Sequence, residues 1–565
     1  MTKKFIVVAI VLFVIRILAG RLVGVVFIPI YDDDDALMVC YSYLEEHFVN
    51  QSWISYKVMV KEMGFPIFLT LLRKTGIVYP DAISFLWLLS AITFTMLFTT
   101  LTKVRRNEIL LTVYSIVLFN PISFSFVGFR LYRNSALAPF YFLVLTLMVW
   151  LFVIYWKKLE LTFKKRIIFG VVFGFLFSWT YFMKEDGIWL LMCLIAVIIL
   201  CLIHKIFLES QPLKEKLCHV LILFLPIAIF FSCLTAYKSV NNHFFGVYET
   251  NNRTNGELGQ FVKLVYKIKS DDRNGNIWAP SDAIMKAFDA SPTLKSNDKL
   301  RNAVINPPDW YSGGKDIFEK PIHGDFLGWI MLYALKDSET CDSPASQEIY
   351  LRQVNSELAV AFENGTLEKD DKFQIISSMG GLTFSEILQL KKYVAATYST
   401  HIFLTSYYPI KFPAERIYFV EKENYEEQVI KYEDVIKRAC EVTNINLFEK
   451  NEHADLVDQF ITAIFSIYRV LNGVMFITAF IGIILTIRKI IHTSVKEYYD
   501  ETLIAVIAIS SLMLSAVYAL AISWFSQFLI NFDENLTFYG IGIIPMLAIF
   551  EIFGTYLFYR MKYNR

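Results

Sequence analysis

Lys3-Lys4 opens an apolar run over residues 5–30, FIVVAIVLFVIRILAGRLVGVVFIPI, which stops abruptly at Tyr31-Asp32-Asp33-Asp34-Asp35-Ala36-Leu37-Met38. A helix of about 20 apolar residues crosses the hydrocarbon core of a bilayer, so this run predicts a membrane span. No small-residue cleavage site precedes the acids, and the run reads as a retained helix rather than a removed signal peptide. Working outward, comparable runs lie at 82–101, 109–126, 135–155, 167–183, 188–203 and 217–237, and then, after a long polar stretch, at 460–487, 503–530 and 538–558. The expectation is an α-helical polytopic membrane protein with about ten transmembrane helices. Composition points the same way: the 565 residues are 55% hydrophobic and only 19% charged, against about a quarter charged in soluble domains. A soluble cytosolic enzyme is excluded. Lys plus Arg (54) balances Asp plus Glu (53), so no global field recruits nucleic acid.

Orientation follows from the cations of the short loops. Lys103, Arg105 and Arg106, then Lys157, Lys158, Lys164, Lys165 and Arg166, then Lys205, Lys214 and Lys216, then Arg488, Lys489 and Lys496, and finally Arg560, Lys562 and Arg565 all fall on the side of Lys3. That side is expected to be cytoplasmic, with both termini on it. The predicted organisation is an N-terminal membrane module over 1–240, of about seven helices and with an acidic first outer loop at 31–81. A mainly helical extracytoplasmic domain over 241–457 and a C-terminal module of about three helices over 458–565 complete it. Within the domain, Ser343-Pro344 reads as a helix start and Gly365 as the stop. Thr383-Phe-Ser-Glu386 reads as a capping box. The seven Cys lack CxxC or Cys/His ligand spacing, which speaks against zinc; Cys341 and Cys440 either pair outside the membrane or are free thiols.

Charges at the predicted outer boundary are the candidate chemistry. Four consecutive carboxylates at the exit of a helix repel one another, which raises a pKa or holds a cation and is one way to make a general base; the alternative is a solvated acidic loop. Leu37, Met38, Tyr41, Leu44 and Phe48 then form an apolar face that would lie along the membrane surface. The hairpin at Lys184-Glu185-Asp186-Gly187 keeps its charges at headgroup level, with Trp189 as an interfacial anchor. Arg130 and Arg133 run against the positive-inside trend, and either answer a local anion such as phosphate or pair with the acids of 32–35; both roles can coexist. Lys61 is a further cation. Arg16 and Arg21 inside the first run read as structural, with Glu551 of the last run a partner for Arg16. Trp278, Trp310, Tyr311 and Trp329 are either sugar-stacking residues or core.

Asp34-Asp35-Ala-Leu-Met, Ser52-Trp53-Ile-Ser-Tyr56, Lys61-Glu-Met-Gly64-Phe65-Pro66 and Lys184-Glu185-Asp186-Gly187-Ile-Trp189 together resemble a group of bacterial membrane proteins of the GT-C class of polytopic glycosyltransferases. Asn241-Asn-His-Phe-Phe-Gly246 and Gly328-Trp329 are similar to their outer domain. In that group an Arg is usual where Lys184 stands. The resemblance implies transfer of a sugar, with inversion, from a polyprenyl-phosphate carrier to an extracytoplasmic cell-envelope acceptor, glycan or protein. Asp34 or Asp35 would be the general base, and Lys61, Arg130, Arg133, Lys184, Glu185 and Asp186 would form the substrate site. A divalent metal between the aspartates is compatible with the class. The rival readings are a lipid-linked glycan transporter or flippase, expected to carry midplane ionisable residues, and a noncatalytic envelope scaffold.

Overall fold

The computed structural model describes residues 2–30, 34–50, 55–157, 159–208, 212–374, 379–405, 412–419, 424–528 and 532–563. Tyr31, Asp32, Asp33 and the Ser52-Trp53 pair lie outside the described residues. The chain is helical throughout its length, and among the described residues β-structure amounts to isolated bridges.

Helices occupy each of the ten apolar runs. Among the described residues, seven helices are long and apolar enough to cross a membrane: Lys3–Val23, Tyr79–Thr102, Arg133–Trp156, Ile188–Phe207, Ala454–His492, Tyr499–Phe525 and Leu536–Lys562. Lys214–Leu223 and Leu225–Phe245, bent by 41°, make an eighth if they form one span. The other two runs are less complete. Asn107–Leu118 has 12 residues before Asn120-Pro121 breaks it, and Phe163–Tyr181 opens on Lys164, Lys165 and Arg166. The first helix is shorter than its apolar run. It ends at Val23 because Gly24 takes φ 74°, and Val25 to Ile28 continue as buried extended chain. That strand-like piece bonds on one side to Phe129 and Leu131 and on the other to Arg416 and Tyr418, and so carries the chain from the first helix to Asp34.

Helix Arg133–Trp156 is central, buried along most of its length. Its 24 residues separate its ends by about 36 Å at 1.5 Å per residue. At its C-terminal end Lys157 and Lys103 both reach Asp500, at 3.0 and 2.7 Å, and Arg560 reaches Glu501 at 3.2 Å. Three of the loop cations read together in the sequence, Lys103, Lys157 and Arg560, thus lie at one end of this helix, and Arg133 stands at the other.

Two apolar cores divide the molecule. One is the helix bundle; it also takes in Ile402, Phe412, Ile417, Val435 and Val442 of the inserted segment. The second is built mainly from residues 245–390, including Trp278, Leu294, Ile330 and Leu358, and also takes in Val58, Met59, Val60 and Met63 of the first loop and Trp524. Helix Asp34–Tyr41 lies between them: Leu37 and Tyr41 join the second core, while Ala36, Met38, Val39 and Cys40 join the first. The expectation of a helix lying on the membrane surface is therefore corrected. A helix apolar on every side is buried, and ALMVCY has no polar stripe to leave outside. The capping box at Thr383 and Glu386 forms reciprocally, and Ser343 caps the helix Pro344–Glu363, with Gly365 in the left-handed region just beyond it. Cys341 and Cys440 are free thiols.

The two arginines of the first helix differ: Arg21 is exposed and pairs with Asp81 at 2.6 Å, whereas Arg16 is buried. Arg16 does not pair with Glu551; its guanidinium lies 4.5 Å from the centre of the Phe124 ring, with Nε and one terminal nitrogen unpartnered.

Candidate active site

At the Arg133 end of the bundle, four pieces of chain meet. Helix Asp34–Tyr41 brings Asp34 and Asp35, the 57–63 loop brings Lys61, the 126–133 turn brings Arg130, Tyr132 and Arg133, and the 182–187 hairpin brings Lys184, Glu185 and Asp186. Gly64 makes this convergence possible. Its N–H donates to the Phe182 carbonyl at 2.8 Å, and a Cβ there would stand 2.5 Å from that oxygen, closer than any side chain allows. The Trp179 indole N–H closes the contact by donating to the Gly64 carbonyl at 2.9 Å.

Asp34 is the centre of the site. Lys61 Nζ stands 2.8 Å from its carboxylate, the Tyr132 hydroxyl donates to Oδ2 at 2.8 Å, and Arg133 approaches to 3.5 Å. Burial alone would push the Asp34 carboxyl up, but Lys61 and Arg133 outweigh it and hold the group well below the usual carboxylate range. Arg133 in turn forks onto Glu185, at 2.8 and 2.9 Å. Burial opposes ionisation of Glu185 too, and Arg133, Lys61 and Arg253 bring it down to about 2.

Asp35 faces elsewhere. It is fully buried, and Arg130 Nε meets its two oxygens at 3.0 and 2.9 Å while a terminal nitrogen adds a third contact at 2.9 Å. Of the two roles foreseen for the arginines, pairing with the acids is the one seen, with Arg130 on Asp35 and Arg133 on Asp34, and Glu185 is a further partner of Arg133. Lys184 pairs with Asp186 at 2.7 Å and stands 5.7 Å from the centre of the Tyr539 ring. The two aspartates do not suit a metal between them, because each is committed to a different cation. No group of three His, Cys, Asp or Glu gathers as a metal site among the described residues.

Three participants were not singled out in the sequence. Tyr132 couples the two ion pairs: its hydroxyl is on Asp34, its ring stacks on Phe538 at 5.1 Å, and Arg130 and Arg133 lie 5.2 and 5.1 Å from its centroid. Arg253 and Asp325 come from the inserted segment and face each other at 3.4 Å. Arg253 sits in the turn Asn251-Asn252-Arg253-Thr254-Asn255-Gly256, where Asn251 Oδ1 accepts from the Thr254 N–H and hydroxyl. An Asn-rich turn presenting one cation was the available signal. Of the four aromatic candidates, Trp278 and Tyr311 are core, Trp310 is about half exposed, and Trp329 has both Lys61 and Arg253 at 5.1 Å from its ring centre.

The same turn is clamped to the Lys61 loop. The Thr250 hydroxyl and the Asn251 amide donate to Glu62 Oε1 at 2.8 and 2.6 Å, and the Asn252 N–H donates to the Met59 carbonyl at 2.9 Å. Burial pushes the Glu62 carboxyl from 4.5 up to about 7, and nearby Glu185 adds to it, against the donors from Thr250, Asn251 and Tyr237. A carboxyl raised in the folded state stabilises it fully below the unfolded value and loses that contribution as pH rises through the folded one. Docking of residues 250–252 on the 57–63 loop is therefore expected to weaken between about pH 4.5 and 7. Amide hydrogen exchange over 249–256 measures it, and Glu62→Gln should flatten the dependence; an unchanged slope in that variant would refute the assignment.

No family model matches the chain, and no curated protein and no solved structure matches it either. The fold and site define an α-helical protein with apolar helices able to cross a membrane and a dense, buried charge network at one end of the bundle.

Proposed function

We propose that the protein is an inverting membrane glycosyltransferase of the GT-C class, moving a sugar from a polyprenyl-phosphate carrier to a cell-envelope acceptor at the extracytoplasmic face of the cell membrane. On this reading the loop-cation end of the bundle and both termini are cytoplasmic. The observation that carries the proposal is the meeting of one partly exposed carboxylate, Asp34, with the cations Lys61, Arg133 and Arg253 where the bundle meets the 245–390 core.

The acceptor hydroxyl attacks the anomeric carbon, and its proton passes to Asp34. The carbon–oxygen bond to phosphate breaks, and its electron pair stays on the phosphate oxygen, where Lys61 and the arginines stabilise it. The ion pairs give this step an order. With Lys61 and Arg133 on it, Asp34 is ionised but a weak base. A donor phosphate that draws those cations toward itself raises the proton affinity of Asp34, so the base strengthens once the donor is seated. Asp34 is 24% exposed, which leaves a route for its proton to reach solvent afterwards.

One observation favours the transport alternative. Glu551, buried in the last span, lines a cavity with Asn120, Asn472, Tyr468 and His401, and intramembrane carboxyls often mark a transport path. The deciding experiment incubates purified protein with a panel of polyprenyl-phosphate sugars and envelope acceptors and measures release of polyprenyl phosphate. Release, dependent on Asp34, is the expected result. Movement of intact lipid across liposomes, lost in Glu551→Gln and kept in Asp34→Asn, would replace the glycosyltransferase with a transporter.

A further inference from the structure

The charge network contains guanidinium groups whose hydrogen-bonding capacity is not used. Nε of Arg133 and Nε of Arg253 are both buried and unpartnered, although buried donors are almost always paired. The two groups flank the same carboxylates, since Arg253 lies within electrostatic range of Asp34, Glu185 and Arg133. They are not held equally. Arg133 is forked onto Glu185 below 3 Å, Lys61 is 2.8 Å from Asp34, and Arg130 and Lys184 are closely paired. Among the described residues Arg253 has only Asp325 as an ion-pair partner, at 3.4 Å through a terminal nitrogen, and Asp325 is about one-third exposed. Arg253 is thus the cation an incoming anion can take from its partner at least cost. Its position is nevertheless fixed: Asn251 and Asn252 anchor its turn to Glu62 and Met59, either side of Lys61, and Trp329 lies beside both cations.

We propose that Arg253, presented by the 250–255 turn of the inserted segment, is the residue that receives the donor's phosphate, exchanging Asp325 for it beside Lys61 and Arg133. The ligand chemistry is a phosphate monoester or diester, and the proposal rests on the glycosyl-transfer reading for the lipid on its far side. It makes the inserted segment part of the binding site: the bundle supplies the carboxylate and two cations, and the segment supplies the third cation and the aromatic wall.

The test uses the full-length protein in detergent, with farnesyl phosphate, farnesol and inorganic phosphate as probes and equilibrium binding as the readout. Arg253→Gln is expected to weaken farnesyl phosphate by roughly tenfold, the loss of one charge-assisted contact, and to leave farnesol, which reports partition into the micelle, unchanged. Arg253→Lys should retain part of the affinity. Asp325→Asn removes the competitor and should tighten farnesyl phosphate, a direction that simple damage to the fold would not produce. Wild-type affinity in Arg253→Gln, or weaker binding in an Asp325→Asn protein that melts like the wild type, overturns the proposal. Inorganic phosphate binding as tightly as farnesyl phosphate would overturn the lipid assignment and leave a free-phosphate site. A protein that shows the binding pattern but transfers no sugar would remove the glycosyltransferase and keep the site. Transfer with an unchanged KM in Arg253→Gln would do the reverse.

Discussion

Asp34→Asn is expected to leave a folded, inserted protein that still binds the lipid donor and transfers sugar about 10²–10⁴-fold more slowly, the range for loss of a general base. Asparagine keeps the size of the side chain and can still accept from Tyr132, so the helix Asp34–Tyr41 and its burial are not disturbed. Lys61 loses its nearest counter-charge, but Glu185 remains within its electrostatic range, and the melting temperature should fall only modestly. The pH profile adds a second readout. Asp34 is held low by Lys61 and Arg133, so the acid limb of kcat/KM, which reports the free enzyme, should lie below the ordinary aspartate value. The acid limb of kcat, which reports the donor complex, should lie at higher pH, because the phosphate has drawn the cations away. Wild-type transfer by Asp34→Asn, or coincident limbs in the two profiles, would remove Asp34 from the role of base.

The membrane helices were legible because a span needs a long apolar run, and such runs are continuous in sequence. What failed there failed for local reasons. The run 5–30 hides a break at Gly24, because Val25 to Ile28 are as apolar in extended chain as in a helix. The run at 109–126 differs, because Asn120-Pro121 is a visible turn signal inside it and its helix stops at Leu118. At the site, Lys61, Arg130, Arg133, Lys184 and the carboxylates stood out as charges beside apolar runs, which is a costly place to keep them. Sequence alone could not assign partners, since Asp34 and Asp35 are adjacent in the chain yet belong to different ion pairs. Successive residues of a helix point about 100° apart, and the first turn of this one faces both Lys61 and Arg130. Arg253 and Asp325 were missed for another reason. They lie in polar turns of a segment rich in charges, where the Asn-rich turn marks Arg253 as presented but does not say what it faces. Only the hydrogen bonds of Thr250, Asn251 and Asn252 to the 57–63 loop place that turn against the bundle.

Asp35→Asn should act on the fold rather than on the chemical step. Asp35 is fully buried and accepts three contacts from Arg130, whose own exposure is 13%. Removing one partner of such a pair strands the other charge, at a cost of about 3–5 kcal/mol. The strain would not stay local. The Arg130 backbone donates to Phe126, Leu131 beside it bonds to the Val26 carbonyl, and the guanidinium lies over Tyr132 and Phe538. The pair therefore joins the chain leaving the first helix, the turn before helix Arg133–Trp156 and helix Phe532–Tyr539. Lower yield of inserted protein and a large drop in melting temperature are expected for Asp35→Asn and for Arg130→Gln alike. The double variant should cost less than the sum of the two, because neither charge is then left alone. Residual transfer per folded molecule should stay near wild type in the singles, in contrast to Asp34→Asn. The opposite result, an Asp35→Asn protein that melts normally and has lost only transfer, would move the base from Asp34 to its neighbour. It would also require Arg130 to release Asp35 when the substrates bind.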